Sequence, residues 1–289
     1  MPLSEKSSTP IQKPVSRSAL RSRCGMIYYG FLRRMTWLAM SGRFAGKRRK
    51  PLAFVWFGHR TPLLRKLQGL DMQYQYNKIT NLKLASEKIN GIVIHPGEVF
   101  SYWKLIGKPT RKKGYLDGMI LKNGRVAAGT GGGLCQLSNL IFWMALHSPL
   151  TIVERHRHGY DVFPDSNRKQ PFGSGATCSY PHIDLMIRND TGQDIQFRTW
   201  LDGEYLYGEL RAGVPSALRY EIVERNHLMK SEFWGGYSRH NELYRLTFEE
   251  DNLIGEEFIL SNHAIMMYAP FIGEGNDGEE PGSRGELNR

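Results

Sequence analysis

The chain has 289 residues, of which 40% are hydrophobic and 11% aromatic, enough for a packed core in one large domain or two small ones. The net charge of +11 comes from residues 1–50, which hold twelve Lys/Arg and only Glu5 as an acid. The rest of the chain is electrically balanced, which argues against a nucleic-acid partner. Three scattered cysteines do not make a disulfide framework and fit a reducing compartment.

Residues 1–50 are predicted to form a basic, partly disordered arm, with the disorder in residues 1–23. Met26–Met40 is apolar and aromatic, but Arg33-Arg34 interrupts it, so neither side reaches the roughly 18 residues that span a bilayer. A signal peptide is not predicted either. Two alternatives remain: residues 26–50 contact an anionic membrane surface, or they form a helix packed on the body with solvated basic flanks. We therefore expect a cytoplasmic protein, peripheral on the inner face of the membrane in the first case.

The body, predicted as residues 51–272, begins with α+β patterns. Apolar residues at helical spacing predict a helix over Asn77–Asn90. The Asn123-Gly124 pair predicts a tight hairpin. The other segments, in chain order, are an apolar segment Pro51–His59, a helix from Thr61-Pro62 to Leu70, a strand Ile92–Ile94, a turn His95–Glu98, an extended segment Val99–Leu105, a basic loop Lys108–Gly114, and hairpin strands Met119–Leu121 and Arg125–Ala127.

The central stretch, residues 129–161, carries the residues best suited to chemistry. Glycines over Gly129–Gly133 let the backbone bend sharply and approach a ligand. A buried helix follows, and Cys135 lies at its start, where the helix dipole and free amides stabilise a thiolate. Gln136 and Ser138 add polar groups at the same end. The stretch lacks the Gly-Lys-Ser/Thr ending of a phosphate-binding loop.

A strand over Leu150–His158 is predicted to return beside that helix. Strand alternation places three side chains on one face, those of Glu154, His156 and His158. Its length brings this face level with Cys135, the arrangement that a Cys–His nucleophile needs. A non-catalytic ligand pocket is an alternative, as is a purely structural role in which Glu154 and Arg155 bridge elements. A zinc-type set is a further alternative, with the ligands His156, His158, Cys178 and His182.

The last third of the chain is predicted to be mostly β. A loop over Val162–Thr177 precedes an antiparallel meander, and residues 273–289 are predicted to be a disordered tail. The predicted strands are Ile183–Ile187, Asp194–Trp200, Tyr205–Leu210, Tyr220–Glu224, Leu243–Phe248 and Phe258–Leu260, followed by an apolar segment Asn262–Tyr268. The whole chain is therefore predicted to be α+β, with a mainly antiparallel sheet and a central buried helix.

Four stretches together resemble the VanW family: KINGIVIHPGEVFSYWKLIG, GGGLCQLS, ERHRH and HIDLMIRNDTGQDIQF. The resemblance covers residues 77–213, with a β-rich extension over 214–272. It implies a link to glycopeptide resistance and the Gram-positive cell envelope, but no settled biochemical activity. The positions that match the family motifs are Gly131, Gly132, Gly133, Cys135, Gln136, Ser138, Glu154, Arg155, His156 and His158.

Two hypotheses about activity follow. In the first, the protein is a Cys-dependent hydrolase or transferase acting on an acyl or peptide group of cell-wall precursors. Cys135 is then the nucleophile, His156 or His158 its base, Glu154 the orienting group, and the amides near Gly133 an oxyanion hole. In the second, the glycine loop and Lys108–Lys113 bind a peptidoglycan precursor or an envelope protein without turnover. Neither hypothesis requires a cofactor or a metal, and a scaffold at the membrane surface is compatible with both.

Overall fold

The computed structural model describes residues 18–64, 71–122, 125–162 and 170–269. Its helices are α1 (Ala19–Ala39), α2 (Met72–Ile89), α3 (Tyr102–Ile106) and α4 (Cys135–Leu146). Its strands are β1 (Phe54–Pro62), β2 (Ile92–Ile94), β3 (Val99–Ser101), β4 (Asp117–Lys122), β5 (Arg125–Thr130), β6 (Thr151–Glu154), β7 (Tyr160–Asp161), β8 (Met186–Arg188), β9 (Ile195–Leu201), β10 (Tyr205–Ala212), β11 (Leu218–Ser231), β12 (Tyr237–Glu249) and β13 (Asn252–Met266). The predicted α+β class with a mainly antiparallel sheet is confirmed.

The core lies between a four-stranded antiparallel sheet, ordered β1-β10-β9-β2, and the helices α2 and α4. Helix α4 is apolar on most of its surface, which explains its central place: Leu137, Ile141 and Phe142 are fully buried. The helix approaches the sheet closely at Gly208, where an added Cβ would lie 2.7 Å from the Met144 side chain. The predicted central helix after a glycine loop is confirmed.

Two smaller sheets surround the start of α4. Strands β3, β8 and β6 form one, in the order β3-β8-β6. Strands β4 and β5 form the predicted hairpin, paired from Asp117↔Thr130 to Lys122↔Arg125. The hairpin precedes the glycine loop directly, so it sets where α4 begins.

The fourth sheet is larger than predicted. Strands β11, β12 and β13 have 14, 13 and 15 residues, and β13 replaces the two separate segments predicted over 258–268. Strand β7 adds to β13 in parallel, Tyr160 opposite Ile265. Short turns join the three long strands, so their register is set locally.

The arm is more ordered than predicted. Ser18 caps α1 by accepting a hydrogen bond from the Arg21 amide, so residues 19–23 are helical; residues 1–17 and the predicted tail lie outside the described residues. The body-facing side of α1 packs Gly30 against Pro181 and Trp37 against Tyr180. Helix α1 therefore packs on the body, and contact of residues 26–50 with a membrane surface stays a prediction. None of the helices in the described ranges is long and apolar enough to cross a membrane.

Three predicted segments are wrong in their conformation. Thr61-Pro62 does not open a helix, because β1 continues to Pro62, paired with Tyr205; residues 65–70 lie outside the described part. Val99–Leu105 is extended only to Ser101, whose hydroxyl caps α3. The strand predicted to reach His158 ends at Glu154, after an irregular register opposite β8. The predicted limits of the domains stay a prediction.

Candidate functional site

The glycine loop has a structural explanation in its own packing. Gly131 and Gly133 have φ of +78° and +88°, which favour glycine. A Cβ on Gly132 would lie 2.1 Å from the carbonyl carbon of Gly118 in β4. The amides of Gly131, Gly132 and Gly133 donate to the carbonyl oxygens of Leu116, Gly129 and Met119, at 2.9, 3.0 and 3.0 Å. These three amides are therefore not available for the predicted oxyanion hole.

Cys135 begins α4 as predicted, but its thiol is not activated. Burial raises the pKa of Cys135, although backbone hydrogen bonds lower it in part. The residue keeps some exposed surface, yet Sγ points to the carbonyl oxygen of Cys178, 3.7 Å away. The expectation that the helix start stabilises a thiolate is wrong in its direction, because desolvation outweighs the amides at the helix start.

A strip of chain, residues 176–178, lies between α4 and the motif histidines. On one side, Ser138 Oγ donates to the Ala176 carbonyl at 2.7 Å and Cys135 contacts Cys178. On the other side, the Thr177 amide donates to the His156 carbonyl at 2.8 Å. Within the described ranges, neither His156 nor His158 hydrogen-bonds to Cys135. The structure does not bring the predicted Cys–His pair together.

Glu154 instead joins His156 to the arm helix. Its Oε1 lies 2.8 Å from His156 Nε2, and its two oxygens accept from the Arg33 guanidinium of α1 at 2.5 and 2.8 Å. Burial would raise the pKa of Glu154, but the hydrogen bonds from His156 and Arg33 outweigh it and hold the pKa below its ordinary value. Glu154 and His156 thus lie on the same side, as predicted, but they face Arg33 of α1 instead of Cys135.

Arg155 points the opposite way and fastens two distant segments. It donates to the carbonyls of Gly173 and Gly175 and, at 2.9 Å, to Asn262 of β13. Burial, and then the nearby Arg157, lower the pKa of Arg155 to about 9. Its guanidinium is fully used inside the protein, as the structural alternative predicted.

The remaining predicted binding residues also have internal partners. Gln136 Nε2 donates to Thr61 Oγ1 and the Pro62 carbonyl, both at 2.9 Å, which ties α4 to β1. Ser138 is fully buried. In the basic loop, Arg111 forms an exposed ion pair with Asp117 at 2.5 Å. These contacts explain the residues through folding rather than through a ligand.

Open space is found on the other side of the strip. One groove of about 380 Å³ lies against α1 and is lined by Tyr29, Leu32, Arg33, Thr36, Glu154, His156, His182 and Ile183. An adjoining cavity of about 250 Å³ is lined by Leu121, His156, Arg157, His158, Gly159, Tyr160, Val162, Thr177 and Ile183. The two adjoin at His156 and Ile183, and we name them together the histidine cleft.

His182 is the most informative side chain of the histidine cleft. Its Nδ1 is buried and has no hydrogen-bond partner, while its ring stacks on Tyr29 at 5.9 Å. Burial lowers the pKa of His182, and the charges of Arg33 and His156 lower it further. Burial followed by the charge of Arg157 likewise lowers the pKa of His158. These rings are therefore held mainly neutral, each able to donate and accept one hydrogen bond.

The zinc alternative is not supported by the geometry of the described residues. Among them, no three His, Cys, Asp or Glu side chains gather where a metal ion could be held. Cys178 faces α4 while His156 and His182 face the histidine cleft. Arg33 and Tyr29 contribute to the cleft from more than a hundred residues before the motif histidines, and no motif in the sequence indicates them.

A family model described as "VanW like protein" matches residues 77–211, the region that contains both motifs. Residues 77–211 are therefore a VanW-like region. The chain is 41% identical over 174 residues to "Vancomycin B-type resistance protein VanW" of Enterococcus faecalis, covering 60% of this chain and 63% of that protein. It is 34% identical over 118 residues to "Uncharacterized protein YoaR" of Bacillus subtilis, covering 41% of this chain and 37% of that protein. The chain thus spans less than two thirds of either relative.

No solved structure matches the chain. The VanW-like region supplies most of the histidine cleft, including Glu154, His156 and His182. Helix α1 lies outside that region and supplies one wall, with Tyr29 and Arg33. The cleft is therefore a joint product of the VanW-like region and the arm.

Proposed function

We propose that this protein acts in glycopeptide resistance or envelope stress by holding an anionic ligand in the histidine cleft. The ligand class is a peptidoglycan precursor that carries a free carboxylate. The name of the Enterococcus faecalis relative supports the link to resistance. The recess and its polar lining support binding, since concave sites with a few convergent polar groups are the usual places for small ligands.

The observation that carries the proposal is the unpartnered Nδ1 of His182. A buried polar atom without a hydrogen bond costs about 1–3 kcal/mol, so such atoms are rare unless a ligand or water completes them. His182 lies in the groove beside Arg33 and His156, where the surrounding charge is positive or neutral apart from the paired Glu154. A carboxylate entering the groove would accept a hydrogen bond from the His182 ring once the ring turns its buried Nδ1 toward the groove, and this would satisfy that atom.

Binding is favoured over cleavage by the state of Cys135. A nucleophilic thiol needs a lowered pKa or an adjacent base, and Cys135 has a raised pKa and a carbonyl as its neighbour. Cysteine-dependent chemistry on cell-wall precursors stays the alternative; it would require residues 176–178 to move aside. The predicted cytoplasmic, peripheral location also stays a prediction.

The test is calorimetric titration of the protein with a soluble muramyl pentapeptide and with its C-terminal amide. We expect the free acid to bind and the amide to bind on the order of tenfold more weakly, as a lost charge-assisted hydrogen bond predicts. His182→Ala should weaken binding of the acid, whereas His227→Ala, an exposed histidine of β11, should not. Equal heats for acid and amide, or an unaffected His182→Ala protein, would refute the proposal.

A further inference from the structure

Helix α1 has a second apolar face, which is largely exposed in the described protein. Five large side chains recur along it at helical spacing, and their exposed fractions are 48% or more. This outer stripe consists of Leu20 (74%), Ile27 (70%), Phe31 (58%), Met35 (48%) and Leu38 (66%). Contiguous exposed apolar surface of this kind marks an interaction site in a soluble protein.

The outer stripe is turned away from the body by the contacts on the opposite side of the helix. Arg33 is buried in its ion pair with Glu154, and it also donates to the His182 carbonyl at 2.9 Å. Gly30 lies so close to Pro181 that an added Cβ would be 3.3 Å away. Because side chains three and four residues apart share a helix face, these contacts fix the rotation of α1. The stripe is held outward by the fold itself.

The charge around the outer stripe identifies the partner. Residues 18–64 contain no Asp or Glu, and exposed Arg21, Arg23 and Arg34 accompany the stripe along α1. More basic residues follow the helix, over 43–50. An apolar stripe whose charged neighbours along α1 are all cations matches a surface that is apolar inside and anionic outside. A nucleic acid would neutralise the arginines but would not bury the apolar side chains of the stripe.

We infer that the outer stripe of α1 docks on an anionic lipid bilayer, with the helix lying in the plane of the interface. At about 1.5 Å per residue the 21-residue helix presents a face roughly 31 Å long. A second copy of the chain is disfavoured, because pairing two stripes would bring two sets of arginines together with no acid on either side.

Docking of α1 on a bilayer would determine how the opening of the histidine cleft is oriented relative to the membrane. Tyr29, Leu32 and Thr36, on the side of α1 next to the outer stripe, line the groove that contains His182. The cleft would then open at the membrane surface, where its ligand would be a lipid-anchored anionic precursor rather than a free peptide. This last step rests on the proposed function; the docking itself does not.

The test is co-sedimentation of the full chain with vesicles of phosphatidylcholine alone and of phosphatidylcholine mixed with phosphatidylglycerol. We expect binding to the mixed vesicles, weakened by salt. Ile27→Glu/Phe31→Glu should reduce it on the order of a hundredfold, because interfacial affinity follows buried apolar area. The matched control, Leu253→Glu/Phe258→Glu, changes two exposed apolar residues of β13 and should bind as the native chain does. Arg23→Gln/Arg34→Gln keeps the stripe and should weaken the preference for anionic lipid, because the basic residues over 43–50 remain.

Failure of native protein to sediment with mixed vesicles would overturn the inference. So would unchanged binding by the Ile27→Glu/Phe31→Glu protein, or a native dimer that this substitution converts to a monomer, which would show the stripe to be a self-interface. Ligand binding in the histidine cleft and membrane docking of α1 can be tested independently. The stripe variant should still bind the soluble muramyl peptide, and His182→Ala should still bind vesicles, so either proposal can fail alone.

Discussion

The Arg33 guanidinium and the Glu154 carboxylate form a two-point ion pair although 121 residues separate them in the chain. The pair joins the arm helix to the first residue of the E-R-H-x-H motif, and Glu154 in turn holds His156. One carboxylate therefore fixes both the wall of the histidine cleft and the ring at its centre. Helix α1 is therefore part of the site.

Loss of this ion pair should destabilise the fold. Arg33→Met leaves the half-buried Glu154 with only His156 as a side-chain partner, and we expect a loss of about 2–3 kcal/mol, less than for a fully buried pair because Glu154 keeps 22% exposure. Arg34→Met, one position along on the solvent side, should change stability by less than about 0.5 kcal/mol. Urea unfolding of the two variants measures this difference. Equal unfolding free energies for Arg33→Met and Arg34→Met would mean that the ion pair contributes nothing to stability.

The same carboxylate should give stability a defined pH dependence. The pKa of Glu154 is below its ordinary value of 4.5 in the folded protein, so its contribution is present above that value and is lost as pH falls through the folded pKa. The difference in unfolding free energy between native protein and Glu154→Gln should thus be largest near neutrality and shrink below pH 4.5. A difference that is constant from neutral to acid pH would contradict the assignment.

The cysteines should differ sharply in reactivity. Cys24 is exposed on α1, whereas burial raises the pKa of both Cys135 and Cys178. Alkylation at neutral pH should therefore modify Cys24 quickly and the other two only slowly, until the protein is denatured. Mass spectrometry of the Cys24→Ser protein provides the measurement. Rapid labelling of Cys135 with an apparent pKa below 9 would restore the enzyme hypothesis.

The glycine loop should behave as a packing element. Gly132→Ala places a Cβ 2.1 Å from the Gly118 carbonyl carbon, which is backbone and yields little, so we expect about 3 kcal/mol of destabilisation. Gly192→Ala is the control, because nothing lies within 4 Å of its added Cβ. Thermal unfolding of both shows the effect. A stable Gly132→Ala protein that has lost ligand binding would instead place the ligand at this loop.

The local sequence pattern predicted those elements whose conformation depends on residues close in sequence. The spacing of Leu137, Leu140 and Ile141 predicts α4, and Asn123-Gly124 predicts the β4–β5 hairpin, since both depend on neighbours in sequence. Val99–Leu105 is the contrary case. Its apolar residues suit a strand, but the Ser101 hydroxyl and the Asp184 carboxylate accept the amides that start α3. That second acceptor is 81 residues away from Trp103 and leaves no trace in the local sequence.

In the site, too, local features were predicted and contacts between distant residues were not. Glu154 and His156 lie on one side and Arg155 on the other, as alternation predicted, although the strand itself ends at Glu154. Cys135 was predicted to face Glu154 and His156, and this prediction was wrong. Residues 176–178 pass between Cys135 and the histidines, and Glu154 pairs instead with Arg33 of α1. No spacing within residues 129–161 encodes either contact. Distant partners of this kind require the fold.

The central claim is that the histidine cleft, and not the Cys135 thiol, receives the ligand. The most direct measurement follows the imidazole nitrogen signals of His156 and His182 by NMR while muramyl pentapeptide is added. We expect saturable shifts of the His182 ring signals, which are retained in Cys135→Ala and which need on the order of tenfold more of the C-terminal amide. Unmoved histidine signals, together with a shift or covalent adduct at Cys135, would contradict it.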